Sequence, residues 1–181
     1  MAHNETSDFT KRCITDALFY LMQQKPYEKI TITEIAQRAG VGRVTYYRHF
    51  SSKDDIIDQY FRMQARDKRA LFHTLPRTQD DCYEIIFSLF TQLKEKKRLM
   101  QLIQQAHLEH LYLQFLNEAM VENFQRHQKK SSGYAPYYYA GCLFNISMEW
   151  VRRDCRDSVK QVADEYAACL LGTLEKASVC N

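Results

Sequence analysis

Thr31 to Phe50 reads TITEIAQRAGVGRVTYYRHF, and the way these residues divide decides the fold. Thr31 and Glu34 stand at capping-box spacing, so a helix is expected from Ile32 to Ala39 with Ile35, Ala36 and Ala39 turned inward. Gly40 is its natural left-handed terminator. After Ala39-Gly40-Val41-Gly42 a second helix restarts at Arg43 and runs to Phe50, where Tyr46 and Phe50, four apart, give it an inner face. Helix, four-residue turn, helix is the helix-turn-helix arrangement, whose second helix enters the DNA major groove while the first crosses the backbone.

The outward face of that second helix carries the chemistry. Arg43, Val44, Tyr47 and Arg48 fall together at i, i+1, i+4 and i+5. Arg43 or Arg48 can fork onto guanine O6 and N7, and Val44 and Thr45 offer methyl groups to thymine. Tyr47 and His49 can donate to phosphates, as can Thr33 from the first helix. Lys53 adds a phosphate contact at the start of the next helix, reinforced by the helix dipole.

Working outward, Phe9 to Gln24 places Ile14, Ala17, Leu18 and Leu21 at helical spacing, and Lys25-Pro26-Tyr27 stops that helix. Ser51 or Ser52 caps a fourth helix with Ile56, Ile57, Tyr60, Phe61 and Met63 on its buried stripe to about Phe72, and Pro76 marks a break. Helices follow at about Asp80 to Lys96, Leu99 to Gln104 and His107 to Gln128. Two more close the chain: one has Tyr139, Leu143, Ile146 and Trp150 on one face, and the other is capped by Ser158 with Gln161. The expectation is an all-α chain of about nine helices: a three-helix DNA-binding domain over residues 1–53, with its motif at about 31–50, and a helical body over 54–181.

Composition supports this. In 181 residues there are only five Gly and three Pro, too few turn formers for a many-stranded β fold. The formal charge of +3 sits at one end: residues 1–53 hold eight Lys/Arg against five Asp/Glu, and residues 54–181 hold seventeen of each. A polyanion would therefore be met at the N-terminal end. The six cysteines (Cys13, Cys82, Cys142, Cys155, Cys169 and Cys180) show no CxxC spacing, and no export signal or long apolar run occurs. The expectation is a cytoplasmic protein without membrane contact, its thiols reduced.

Residues 31–50 followed by SSKDDI closely resemble the DNA-binding domain of the TetR family of bacterial transcription regulators, with Ile35-Ala36, Ala39-Gly40-Val41, Thr45, Tyr47, His49-Phe50 and Lys53 in the family's places. The likeness is sharp from about Phe9 to Phe61. Gly42 stands where the family usually has Ser or a similar cap, and Val44 where it usually has Gly, Ala or Ser. The resemblance implies a homodimeric regulator of double-stranded operator DNA, a repressor released by a small-molecule effector of unknown identity. In the body, Gly141, Trp150-Val151 and the capped last helix look like the dihydroxyacetone-operon subgroup, which includes a DNA-nonbinding coactivator; that is the alternative reading.

The resemblance also implies that the last two helices form the dimer seam, through Tyr139, Leu143, Ile146, Trp150, Tyr166, Leu170 and Leu174, with an intrachain core as the competing role for the same faces. An effector cavity would be lined by Phe87, Phe90, Met100, Ile103, His107, Leu111, Phe115 and Phe144, although Met and aromatic residues at helical spacing more often form plain core. His107 and His110, three apart with Glu109 beside them, are half of a metal site, which leaves a metal-responsive regulator as a further alternative. No metal or cofactor is expected. There is no glycine-rich phosphate loop, HExxH or GxSxG, so no enzyme is expected either.

Overall fold

The computed structural model describes residues 2–67, 78–126 and 133–179, with side chains described at 7–64, 78, 80–126 and 133–169. It is all helix there. The elements are α1 (Ala2–Met22), a 3-10 turn (Tyr27–Lys29), α2 (Ile32–Arg38), α3 (Arg43–His49), α4 (Lys53–Asp67), α5 (Gln79–Glu95), α6 (Lys97–Gln105), α7 (Glu109–Arg126), α8 (Ala135–Arg152) and α9 (Val159–Val179). Among the described residues there are nine α-helices, at the places expected from periodicity. The expected extension of the fourth helix to Phe72, the break at Pro76, and Cys180 lie outside the described residues.

Helix ends follow their caps. Thr31 Oγ1 accepts from Glu34 N at 3.3 Å while Glu34 Oε2 accepts from Thr31 N at 2.9 Å, completing the capping box of α2. Ser158 and Gln161 make the same reciprocal pair at α9, at 2.9 and 3.2 Å. Of the two serines before α4, Ser52 accepts from Asp55 N at 3.1 Å. A third box went unread in the sequence: Thr78 and Asp81 start α5 one residue before the expected Asp80. The seventh helix begins at Glu109 because His107 adopts a left-handed backbone, φ 55°.

The chain forms two compact units. The first comprises residues Met1–Gln64 with Leu102–Tyr112. Its core joins Ile14 and Leu18 of α1, Ile35 and Ala36 of α2, Tyr46 and Phe50, and Ile56 and Ile57 of α4, all buried. Phe61 packs its ring 5.1 Å from that of Tyr112. The compact unit therefore takes in most of α4, beyond the residues 1–53 expected to hold the DNA-binding function.

The second unit comprises Ala65–Gln101 and Leu113–Asn181, with α9 packed along α5. Cys82, Ile86 and Phe90 of α5 are buried with Leu116 of α7, Leu143, Trp150 and Val151 of α8, and Ala163 and Tyr166 of α9. Trp150 meets Phe90 edge-on at 5.2 Å, and its indole N–H donates to the Asp157 carbonyl at 3.1 Å. The α8–α9 turn places two successive residues, Asp154 and Cys155, at positive φ. It is held by Cys155 N donating to Trp150 O at 2.9 Å, and the Asp154 carboxylate accepts from Lys97 Nζ and Gln101 Nε2 of α6 at 2.6 and 3.1 Å.

Candidate nucleic-acid interface

α2 and α3 are seven residues each, too short to persist alone, so the site depends on what holds them. Gly40 takes φ 68°, and Val41 N donates back to Ala36 O at 2.9 Å, closing α2 and turning the chain into α3. At Gly42 there is no side-chain cap on α3, as the departure at that position led one to expect. α3 is anchored through Tyr46, which is fully buried, with its ring 6.1 Å from that of Phe50.

Three braces surround this pair. Glu34 pairs with Lys25, whose hydrogen bond, joined by those of Thr31, holds the Glu34 carboxyl down at about 2. Arg38 lies flat over the Tyr20 ring, 3.1 Å from its centroid, tying α2 to α1. The Tyr27 hydroxyl donates to Asp54 at the start of α4; burial first, and that carboxylate second, push the phenol well above its usual range.

Lys53 completes the frame. Its ammonium donates to the carbonyls of Tyr27 and Ile30, both at 2.8 Å, and stands 4.3 Å from the Tyr27 ring centroid. Two of its three donors are thus used within the chain, and one remains for a phosphate. Hydrophobic spacing carries no sign of these bonds, because the partners lie more than twenty residues away along the chain.

With α3 anchored by Tyr46, the opposite face is bare. Arg43, Val44, Tyr47 and Arg48 are all exposed, Val44 at 85% and Tyr47 at 49%. A large apolar side chain left so open has no intrachain role, which suits a methyl-bearing contact to a base edge. Thr45 and His49 are half-buried at the flanks, and Thr33 is exposed in the first turn of α2. His49 is held below its usual pKa by burial first and then by the positive charges of Arg48 and Lys11, so it is neutral at pH 7.

The remaining expected sites fare differently. Ile103, His107 and Leu111 fall in the first unit, and Phe87, Phe90, Met100, Phe115 and Phe144 in the second. Phe90, Met100, Ile103, Leu111 and Phe115 are buried core, Phe144 is half-buried, and Phe87 is exposed with its ring stacked 5.7 Å from Tyr83. His107 sits in the turn before α7, so it and His110 do not share a helical face. Among the described residues no three His, Cys, Asp or Glu side chains cluster as metal ligands. Tyr139, Leu143, Trp150 and Tyr166 are buried within the single chain, Ile146 is half-exposed, and the side chains of Leu170 and Leu174 lie outside the described residues.

A braced helix-turn-helix with an open basic-aromatic face defines a class, the helix-turn-helix DNA-binding domains. Residues 14–60 match the tetR family of bacterial regulatory proteins. A stretch of 87 residues is 28% identical to YvkB of Bacillus subtilis, an HTH-type transcriptional regulator, covering 48% of this chain and 44% of that one. The match thus spans less than half the length of this curated relative. The whole fold is similar to that of DhaS, a dihydroxyacetone kinase operon activator, with a TM-score of 0.59 at 20% identity over 93% of this chain and 97% of that one. It is also similar to that of FadR from Bacillus subtilis in complex with stearoyl-CoA, with a TM-score of 0.55 at 19% identity over 88% and 96%. No helix among the described residues is long and apolar enough to cross a membrane.

Proposed function

We propose that this chain binds double-stranded operator DNA in the cytoplasm through α3, with residues 1–53 as the reading head, and represses transcription until a small-molecule effector acts on the helical body, residues 54–181. The observation that carries the reading is the outward face of α3: two arginines, a tyrosine and an unpacked valine on a helix whose inner face is locked by Tyr46. Protein of this fold holds stearoyl-CoA in FadR, which supports a body able to take a ligand. The match of residues 14–60 to a family of regulatory proteins supports regulation rather than catalysis.

Operator reading by one short helix calls for two heads, so the working form is a homodimer. The part of α8 not consumed by its own core offers Tyr137, Tyr138 and Gly141 to a second copy, with Ile146 half-exposed beside them. The test is gel retardation of the chain's own promoter fragment at physiological salt, alongside sedimentation. Retardation by a dimer is expected. A dimer that leaves the fragment unshifted sinks the DNA-binding reading, and the coactivator reading takes its place.

A further inference from the structure

The capping boxes of α2, α5 and α9 each close on themselves: the side chain at the third helical position accepts from the backbone N–H of its own cap residue, Thr31, Thr78 or Ser158. At α4 the box is displaced. Asp55 N donates to Ser52 Oγ at 3.1 Å, but the Asp55 carboxylate accepts instead from Ser51, from its N at 2.7 Å and its Oγ at 3.1 Å. It thereby holds the residue after Phe50, where α3 ends. Gln59, one turn further along α4, holds the residue before: its Nε2 donates to the His49 carbonyl at 3.1 Å and to Asp55 Oδ1 at 3.0 Å.

Phe50 between them is extended, at φ −139° and ψ 133°. An extended residue leaves the carbonyl before it and the N–H after it pointing the same way, as a strand presents them to its neighbour. Asp55 and Gln59 take the neighbour's place with one acceptor and one donor. Both amide hydrogens of Gln59 are engaged, so the group beside it must accept on both of its atoms. Asp55 meets this as a carboxylate. Burial opposes its charge, but the bonds from Ser51 and Gln59 outweigh burial, holding the carboxyl below its usual range and ionised at neutral pH. α3 has no side-chain cap at its start, and the braces described above fall on α2 and the 3-10 turn, whereas this bracket grips the end of α3 itself.

We propose that Asp55 and Gln59 are positioning residues for sequence recognition, which set the angle of α3 so that its outward face meets base edges in register. This role rests on the operator reading and requires neither residue to touch DNA. A bidentate bond to a base edge is lost when its fork tilts, while phosphate contacts carry no sequence information. Loss of the bracket should therefore lower preference for the operator before it lowers affinity for DNA in general.

The test compares Gln59→Met, which keeps the length and removes both donors, with Asp55→Asn. The asparagine sets its NH2 against either Ser51 N or Gln59 Nε2, and a flipped Gln59 would turn its own oxygen on the His49 carbonyl. Affinities for the chain's own promoter fragment and for scrambled DNA are measured on the full chain, shown folded by circular dichroism. Each variant should lose about ten-fold in the ratio of the two, the lower end of one bidentate base contact, with scrambled DNA bound within about three-fold of the parent. The double variant should also lose about ten-fold, not about a hundred-fold, because a single bracket is broken once. Ser158→Ala, which removes the cap of α9, is the control for lost stability and should keep the parent's ratio. Asp55→Asn carries the test alone if Gln59→Met does not fold. Ratios within about two-fold of the parent in the single variants overturn the proposal, as do losses that multiply in the double variant. A parent that binds both DNAs alike overturns the operator reading and this role with it; a preference that the variants keep overturns the bracket's role alone.

Discussion

Replacing Lys53 with methionine distinguishes a brace from a phosphate clamp. Methionine keeps the apolar stem and removes the ammonium, so the Tyr27 and Ile30 carbonyls lose donors at 2.8 Å and the Tyr27 ring loses its cation. A hydrogen bond from a charged donor contributes about 1.5–3 kcal/mol net. Lys53 is half-buried, so water can re-solvate both carbonyls in part and the lower end of that range applies to the pair. Its positive charge opposes the dipole at the first residue of α4, and its removal returns about 0.3–0.5 kcal/mol. The net expectation is a loss of about 1 kcal/mol, which at a urea slope of about 2 kcal/mol per M lowers the midpoint by about 0.5 M. The assay is urea unfolding followed by circular dichroism, with operator affinity measured across a salt series on the folded variant. A midpoint within about 0.2 M of the parent refutes the bracing argument. If Lys53 also meets a phosphate with its third donor, the salt slope falls by about 0.9 per head; an unchanged slope assigns it to the frame alone.

Arg43→Ala should cost about 1–3 kcal/mol on the operator and relax preference at one base pair, whereas Tyr47→Phe should weaken all sequences alike and leave the salt slope unchanged; binding to operator and scrambled DNA separates the two. His49 is held neutral in the free protein, and a neighbouring phosphate would favour its charged form. Operator affinity should therefore rise as pH falls through the ordinary histidine range, and this rise should vanish in His49→Gln. Folding stability runs the other way through the same window, since a lowered histidine pKa means that the unfolded chain binds the proton first and stability falls with pH. Gly40→Ala meets no atom within 4 Å, so its cost is backbone alone: about 1–2 kcal/mol for a left-handed alanine at φ 68°, read as a lower unfolding midpoint.

What periodicity and caps encode was legible, and what depends on contacts between distant residues was not. The boxes Thr31–Glu34 and Ser158–Gln161 and the terminator Gly40 are local patterns, and the structure forms them as the spacing suggests. The outward face of α3 followed from the same logic, because once Tyr46 and Phe50 are inside, Arg43, Val44, Tyr47 and Arg48 have nowhere else to point. The start of the seventh helix was misjudged because a left-handed non-glycine residue such as His107 leaves no mark on hydrophobic spacing. The second-last helix shows the other limit. Tyr139, Leu143 and Trp150 recur at helical intervals, which reveals a buried stripe without saying whether the chain itself or a second copy covers it. Here the chain covers it, with Phe90 against Trp150 and Phe124 stacked on Tyr139 at 5.7 Å.

The frame around α2 and α3 bears on how so short a helix pair can hold one fixed face. Two seven-residue helices have no stability of their own, so the precision of the α3 face is inherited from neighbours: Tyr20 under Arg38, Lys25 on Glu34, and the turn at Tyr27–Lys29 clasped by Lys53 and Asp54. These contacts fall on α2 and on the segments that flank the motif, and none uses a residue of the outward α3 face. The division leaves that face without a part in holding the frame. It also means that a change in α4, which supplies both Lys53 and Asp54, reaches the 3-10 turn that precedes α2.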